Sequence, residues 1–124
     1  MDLQPDSQTP PGERPIAPAG ARLLLSFQQD QLSLEAGQEV LLGSTADCDL
    51  HIERRYVSRR HLVILRRDRY FVAIDQSTNG TFLQAEDLTV THFKRSEQRL
   101  WGSGWLCLGE PLRPDAVVHF QQVG

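Results

Sequence analysis

Short apolar runs recur from about residue 22 to the end of the chain, and polar or glycine-containing breaks separate them. Each run is three to five residues long, whereas a helix needs about ten or more residues of 3.6-residue periodicity. The pattern therefore predicts short β-strands, and this many strands in about a hundred residues indicate an antiparallel β-sandwich. The nine clearest runs lie at 23–27, 31–34, 39–42, 49–52, 61–65, 70–74, 81–83, 105–108 and 117–120.

The first twenty residues differ from the rest in composition. They hold five of the seven prolines and few large apolar side chains. Such a segment buries too little apolar surface to offset the entropy that it would lose on ordering. We therefore expect residues 1–20 to form a disordered, proline-rich tail or linker, and residues 21–122 to form one domain.

The overall composition excludes several classes of protein. With 124 residues, 40% hydrophobic and 23% charged, the chain has the make-up of one globular domain. No apolar run reaches the 18 or so residues of a transmembrane helix, and no secretory signal is visible, so we expect a cytoplasmic protein without membrane contact. Cys48 and Cys107 are too few for a disulfide framework or a zinc site. We expect two buried thiols, no metal and no cofactor.

Arginine is concentrated in one stretch. Residues 51–70 contain seven arginines and two acidic residues, a local charge of +5 in a chain whose net charge is −3. A nucleic-acid-binding face would require a basic domain, so we expect no nucleic-acid partner, whereas a local cluster suits a small anion. For Arg66, Arg67 and Arg69 around Asp68, a solvated hairpin turn is the simpler interpretation.

Two loops between predicted strands carry hydrogen-bond donors where a loop without function more often carries Gly, Pro or Asp. They contain Tyr56-Val57-Ser58-Arg59-Arg60-His61 and Gln76-Ser77-Thr78-Asn79-Gly80-Thr81. A sandwich gathers loops from different strand pairs at one end, so we expect 53–60, 75–80 and 43–48 to meet there. Hydroxyls, guanidiniums, amides and backbone N–H groups are donors, and phosphate is the anion that such a set fits best.

The chain resembles the forkhead-associated (FHA) domain, a reader of phosphothreonine peptides, in the order and spacing of three segments. These are Gly43-Ser44, Val57-Ser58-Arg59-Arg60-His61 and Asp75-Gln76-Ser77-Thr78-Asn79-Gly80-Thr81-Phe82. The resemblance covers residues 21–122 and implies an all-β, antiparallel β-sandwich of about eleven short strands with SMAD/FHA-like topology. It also implies an interaction module of intracellular signalling that binds a phosphothreonine-containing protein or peptide.

The resemblance implies ligand-binding roles for four residues. Ser58 would donate its hydroxyl to the phosphate, and Arg59 beside it would add a charge-assisted hydrogen bond. Thr78 would offer its hydroxyl or its backbone N–H to the same phosphate, or would line a pocket for the threonine methyl group. Asn79 would hydrogen-bond the backbone of the peptide.

Three further residues are implied to support the site. His61 would hold the Ser58 loop in shape. Gly43 and Gly80 would allow backbone conformations or close approaches that a Cβ atom would obstruct.

The chain departs from the family at one important position. Where the family has an arginine that reaches the phosphate, this chain has Ser44. Losing a hydrogen bond to a charged group costs about 1.5–3 kcal/mol, or roughly ten- to a hundredfold in affinity. Arg54, Arg55 or Arg60 is a candidate to supply a replacement guanidinium. The alternative is an FHA-like sandwich that binds a protein partner independently of phosphate.

Other interpretations concern catalysis, the tail and the C-terminal part. A hydrolase triad of Ser58, His61 and Asp75 is disfavoured because no nucleophile elbow is present, so we expect no enzymatic activity. Thr9, once phosphorylated, is a candidate to dock on its own domain at high effective concentration. Residues 93–109 resemble FHA modules of bacterial multidomain signalling proteins, which suggests a part of a larger signalling protein.

Overall fold

The fold is an all-β sandwich, as predicted. The computed structural model describes residues 20–124, and these contain eleven strands and no helix. The predicted tail, with Thr9, lies outside the described residues except for Gly20. The strands are β1 (Arg22–Phe27), β2 (Asp30–Leu34), β3 (Glu39–Gly43), β4 (Leu50–His51), β5 (Leu62–Arg67), β6 (Tyr70–Asp75), β7 (Thr81–Ala85), β8 (Val90–Phe93), β9 (Glu97–Leu100), β10 (Ser103–Leu108) and β11 (Val118–Val123).

The strands form two sheets. Six lie in the order β2-β1-β11-β10-β7-β8, and five lie in the order β4-β3-β5-β6-β9. Neighbouring strands are antiparallel except β3 and β4, which pair in parallel through Leu42 with Leu50 and Gly43 with His51. Because parallel strands end at the same end of a sheet, the loops that follow Gly43 and His51 start side by side.

The core lies between the two sheets. In β1, Leu23, Leu25 and Phe27 are buried while Arg22 and Leu24 are exposed, because alternate residues of a strand point to opposite faces. Aromatic and aliphatic side chains of both sheets fill this layer. Its largest fully buried members include Phe71, Phe120, Leu42, Leu62, Ile64 and Leu106.

Two strands carry little apolar signal in the sequence. β8 buries only Phe93, and β9 buries only Leu100. Each is the edge strand of its sheet, where polar side chains are tolerated and discourage pairing with other chains. The apolar runs of the sequence therefore do not reveal β8 or β9. The eleven strands implied by the family resemblance are confirmed.

The fold divides the arginine-rich stretch. β5 and β6 join through a two-residue turn at Asp68 and Arg69, which confirms the predicted hairpin, and Asp68 has a φ of 56°. This turn is at the opposite end of β5 from Leu62. Arg66, Arg67 and Arg69 therefore lie away from the loops that were predicted to bind an anion.

Both cysteines are buried free thiols, in agreement with the prediction from composition. Burial raises the pKa of the Cys107 thiol, which keeps it protonated and unreactive. Among residues 20–124, no group of three or more His, Cys, Asp or Glu is arranged to hold a metal ion. No helix in the same part of the chain is long and apolar enough to cross a membrane.

Candidate functional site

Three loops meet at one end of the sandwich. The backbone N–H of Thr78 donates to Ser58 Oγ at 3.1 Å, and Asn79 Nδ2 donates to the Tyr56 carbonyl at 3.2 Å. The backbone N–H of Ser44 donates to the Ser58 carbonyl, also at 3.1 Å. Ser58 is half-buried, while Thr78 and Asn79 are exposed. The structure thus brings these predicted site residues into one surface.

A buried histidine fixes the backbone beneath that surface. His61 is fully buried, its Nδ1 accepts a hydrogen bond from the Ser58 N–H at 3.0 Å, and its Nε2 lies 2.8 Å from the Gly80 carbonyl. Since Nδ1 accepts, Nε2 carries the proton and donates. Burial lowers the pKa of His61, against the opposing effects of the Gly80 carbonyl and Asp75. The neutral imidazole therefore ties the Ser58 loop to the loop before β7.

A buried carboxylate organises the second loop. Asp75 Oδ1 accepts from the N–H groups of Ser77 at 2.9 Å and Arg95 at 3.0 Å, and Oδ2 accepts from Thr81 Oγ1 at 2.6 Å. The Ser77 hydroxyl also contacts Asp75 and accepts from the Gly80 N–H at 2.7 Å. Burial alone would raise the pKa of Asp75, but the hydrogen bonds outweigh it and the pKa is lowered. The carboxylate stays charged.

The burial of His61 makes stability depend on pH. The unfolded chain takes up a proton on His61 below the ordinary pKa of 6.5, whereas the folded chain does so only at lower pH. The contribution of His61 to stability is therefore fully present above pH 6.5. It decreases as the pH falls, by at most about 1.4 kcal/mol per pH unit. Asp75 contributes its own loss only below its ordinary pKa of 3.8. We expect urea denaturation between about pH 7.5 and 5.5 to show this slope.

His61→Gln is the matched variant for this measurement, since it removes the titrating group and keeps an amide donor and acceptor. Its unfolding free energy should change less with pH over the same interval. An equal slope in both proteins would contradict the assignment of the effect to His61.

Two glycines are required by close approaches at the site. A Cβ atom on Gly43 would lie 2.0 Å from the Arg59 carbonyl oxygen and 2.8 Å from Cys48 Sγ. Gly80 has a φ of +84°, and a Cβ there would lie 2.3 Å from His92 Nε2. Gly43 therefore allows the Arg59 backbone to pack directly against β3, and Gly80 allows the turn into β7.

The loop between β10 and β11 also reaches the site, which no pattern in the sequence indicates. The N–H of Gly109 donates to the Gly80 carbonyl at 2.8 Å, and a Cβ on Gly109 would lie 2.0 Å from the Tyr56 carbonyl oxygen. Arg54 Nε donates to Glu110 Oε2 at 2.9 Å. A Gly-Glu pair directly after the apolar run 105–108 is the only local signal, and it does not reveal these distant partners.

The candidate triad is not arranged for catalysis. Nδ1 of His61 accepts the backbone N–H of Ser58, and Nε2 donates to the Gly80 carbonyl with Asp75 Oδ2 at 3.5 Å. Both imidazole nitrogens are therefore engaged by groups other than the Ser58 hydroxyl, whereas a general base must face the hydroxyl that it activates.

Comparison with known proteins identifies the family. The model of the FHA domain matches residues 40–98. The chain carries an FHA domain. No curated protein matches the chain in sequence. FHA domains are binding modules, which agrees with the engaged imidazole of His61.

Solved FHA domains share the fold. The structure called FHA-1 of Rv1747 from Mycobacterium tuberculosis aligns with a TM-score of 0.70 at 20% identity, over 86% of this chain and 100% of that one. The N-terminal FHA domain of Rad53p from S. cerevisiae, in complex with a phosphothreonine peptide, aligns with a TM-score of 0.60 at 22% identity, over 83% of this chain and 91% of that one. The FHA domain of CT664 from Chlamydia trachomatis aligns with a TM-score of 0.61 at 20% identity, over 83% of this chain and 97% of that one. At 20–22% identity, these alignments show that the fold is shared.

The arginines around this FHA site are engaged to different degrees. Arg54 is paired with Glu110, Arg60 Nη1 lies 3.2 Å from Asp47 Oδ2 with both side chains exposed, and the guanidinium of Arg55 lies over the Tyr56 ring. Arg59 is exposed, and its guanidinium makes no ion pair or hydrogen bond within residues 20–124. The backbone carbonyl of Ser44 lies 3.1 Å from His51 Nε2.

Proposed function

We propose that residues 21–122 bind a phosphothreonine-containing protein or peptide and depend on the phosphate. The observation that carries this proposal is the hydrogen bond from the Thr78 N–H to Ser58 Oγ, which joins the two donor-rich loops. The next residue, Arg59, is exposed, and its guanidinium has no partner among residues 20–124. FHA domains of similar fold have been solved with phosphothreonine peptides, among them those of Rad53p and MEK1. A phosphate with two negative charges suits these donors.

The proposed roles follow from which donors are already used. Ser58 Oγ accepts from Thr78, so its own proton is available for the phosphate. The backbone N–H of Thr78 is engaged in that bond, which leaves its hydroxyl for the ligand. Arg59 supplies the charge. Asn79 uses one amide proton on the Tyr56 carbonyl and keeps its second proton and its oxygen for the peptide backbone.

The proposal is tested by titrating one peptide in three forms: phosphothreonine, phosphoserine and unphosphorylated. We expect Ser58→Ala to weaken binding of the phosphothreonine form by roughly ten- to a hundredfold, because it removes a hydrogen bond to a charged group. Ser33→Ala is the matched control, since Ser33 is exposed on β2 of the other sheet. Calorimetry or fluorescence anisotropy measures the affinities.

Equal binding of all three peptide forms would overturn the proposal. It would favour the alternative, in which the same surface binds a protein partner without phosphate. Loss of phosphothreonine binding on Ser33→Ala as well as on Ser58→Ala would mean that the loss does not report a contact made by Ser58.

The serine at position 44 gives a separate prediction. We expect Ser44→Arg to tighten phosphothreonine binding by about tenfold, since an added guanidinium contributes one charge-assisted hydrogen bond. Arg60→Ala should weaken binding of the natural protein by less, because Arg60 already pairs with Asp47. Arg54→Ala is expected to change stability rather than affinity, because Arg54 is held by Glu110. Unchanged affinity in Ser44→Arg would mean that the neighbouring arginines already neutralise the phosphate.

We further propose that the module acts in the cytoplasm, has no catalytic activity of its own, and belongs to a larger signalling protein. Buried free thiols are consistent with a reducing compartment. Residues 1–20 would then act as the tether to the rest of that protein, which their proline content suits.

A further inference from the structure

A turn beside the proposed site carries a strained arginine. Arg95, between β8 and β9, has a φ of 52°, in the left-handed region that side chains other than glycine rarely adopt. Two hydrogen bonds hold it there: its N–H donates to Asp75 Oδ1, and its Nε donates to the Ser77 carbonyl, both at 3.0 Å. Such strain persists only where the surroundings impose it, and it is common at functional sites.

Both anchors of Arg95 belong to the loop that carries Thr78. Ser77 immediately precedes Thr78 in the chain, so the guanidinium lies next to the proposed phosphate site. In the sheet order, β6 lies between β5 and β9. The Ser58 loop therefore approaches the 75–80 loop from the β5 side, and Arg95 approaches it from the β9 side.

The outer part of this guanidinium is available to a ligand. The side chain is exposed, and only its Nε has a hydrogen-bond partner among residues 20–124. The two Nη groups form a planar fork that matches a carboxylate end-on, with two parallel hydrogen bonds. Because the Nε bond already restricts the side chain, less conformational entropy is lost when a ligand binds.

We propose that Arg95 recognises an acidic side chain of the bound peptide, close in sequence to the phosphothreonine. The proposal rests on the proposed function. With the phosphate held by Ser58 and Arg59 on one side of Thr78, the fork of Arg95 on the other side faces a second part of the ligand. An extended peptide advances about 3.4 Å per residue, so a carboxylate within about three residues of the phosphothreonine comes within reach.

The test uses a series of phosphothreonine peptides with alanine at all flanking positions except one, which is glutamate at each position in turn. We expect glutamate at one position to tighten binding to the natural protein by about three- to tenfold at low salt, and by less as salt is raised. Arg95→Gln should abolish this preference, because it removes the charge and keeps an N–H donor for the Ser77 carbonyl. Arg95→Lys should restore part of it.

Lys94→Gln is the matched control, since it removes the same charge from the adjacent exposed residue and should leave the preference intact. If Arg95→Gln weakens every phosphopeptide equally, Arg95 only positions the loop and the proposal is wrong. Phosphate-dependent binding with no preference for glutamate at any position would overturn this proposal alone. Equal binding of phosphorylated and unphosphorylated peptides would overturn the proposed function together with it. The peptide series on the natural protein gives a result even if a variant fails to fold.

Discussion

Asp75→Ala is expected to lower the free energy of unfolding by about 3–5 kcal/mol. The substitution leaves four donors without their acceptor, the N–H groups of Ser77 and Arg95 and the hydroxyls of Ser77 and Thr81, and each unsatisfied buried donor costs about 1–3 kcal/mol. Domains of this size are stable by only about 5–15 kcal/mol. The expected loss is therefore a large part of the total free energy of unfolding. Chemical denaturation measures it.

Asp75→Asn is expected to lower the free energy of unfolding by less than Asp75→Ala. Asparagine keeps one oxygen for the two backbone N–H groups but turns an amide toward the donors on the other side, so we expect a smaller loss of about 1–3 kcal/mol. Asp30→Ala, at the exposed first residue of β2, is the surface control and should change stability by less than about 0.5 kcal/mol. A loss below about 1 kcal/mol for Asp75→Ala would show that the network is not a principal support of the loop.

Gly43→Ala is expected to damage both stability and ligand binding. The added Cβ would lie 2.0 Å from the Arg59 carbonyl oxygen, a backbone atom that cannot move without the loop. Overpacking of this kind costs about 1–3 kcal/mol. The clash would displace Arg59 and Ser58, which are the proposed phosphate ligands. We therefore expect the affinity for the phosphothreonine peptide to fall by at least about tenfold as well.

Gly20→Ala provides the control, since a Cβ at Gly20 meets nothing within 4 Å. Comparing unfolding free energy with peptide affinity separates the two effects of Gly43→Ala. The close packing of Arg59 against Gly43 would be contradicted if the alanine variant retained both the stability and the affinity of the natural protein.

The strands with strong apolar periodicity were predictable to within a few residues. The run 23–27 corresponds to β1 (Arg22–Phe27) and the run 105–108 to β10 (Ser103–Leu108). β8 and β9 were not visible as apolar runs because each buries a single side chain. Edge strands are held by backbone pairing to one neighbour, and a hydrophobicity pattern does not report that pairing.

The site was predictable in part. The types and order of the donor residues indicated an anion-binding surface, and the loops that carry them do meet. The carboxylate of Asp75 was seen only as part of a motif, and the contributions of Gly109 and Arg95 were missed. Gly109 donates to the Gly80 carbonyl and Arg95 donates to the Ser77 carbonyl, which are 29 and 18 positions away in the sequence. No local pattern specifies such distant partners.

The sequence by itself determined the short apolar strands, and with them the β-sandwich and the donor chemistry of its loops. Only the tertiary structure decided which arginines are available to a ligand. Arg54 is engaged by Glu110 and Arg67 lies at the far end of β5, whereas Arg59 is unpaired among residues 20–124 and Arg95 lies beside Thr78. The physical reason is that charge pairing falls off within a few ångströms, so it depends on which loops the fold brings together and not on spacing along the chain.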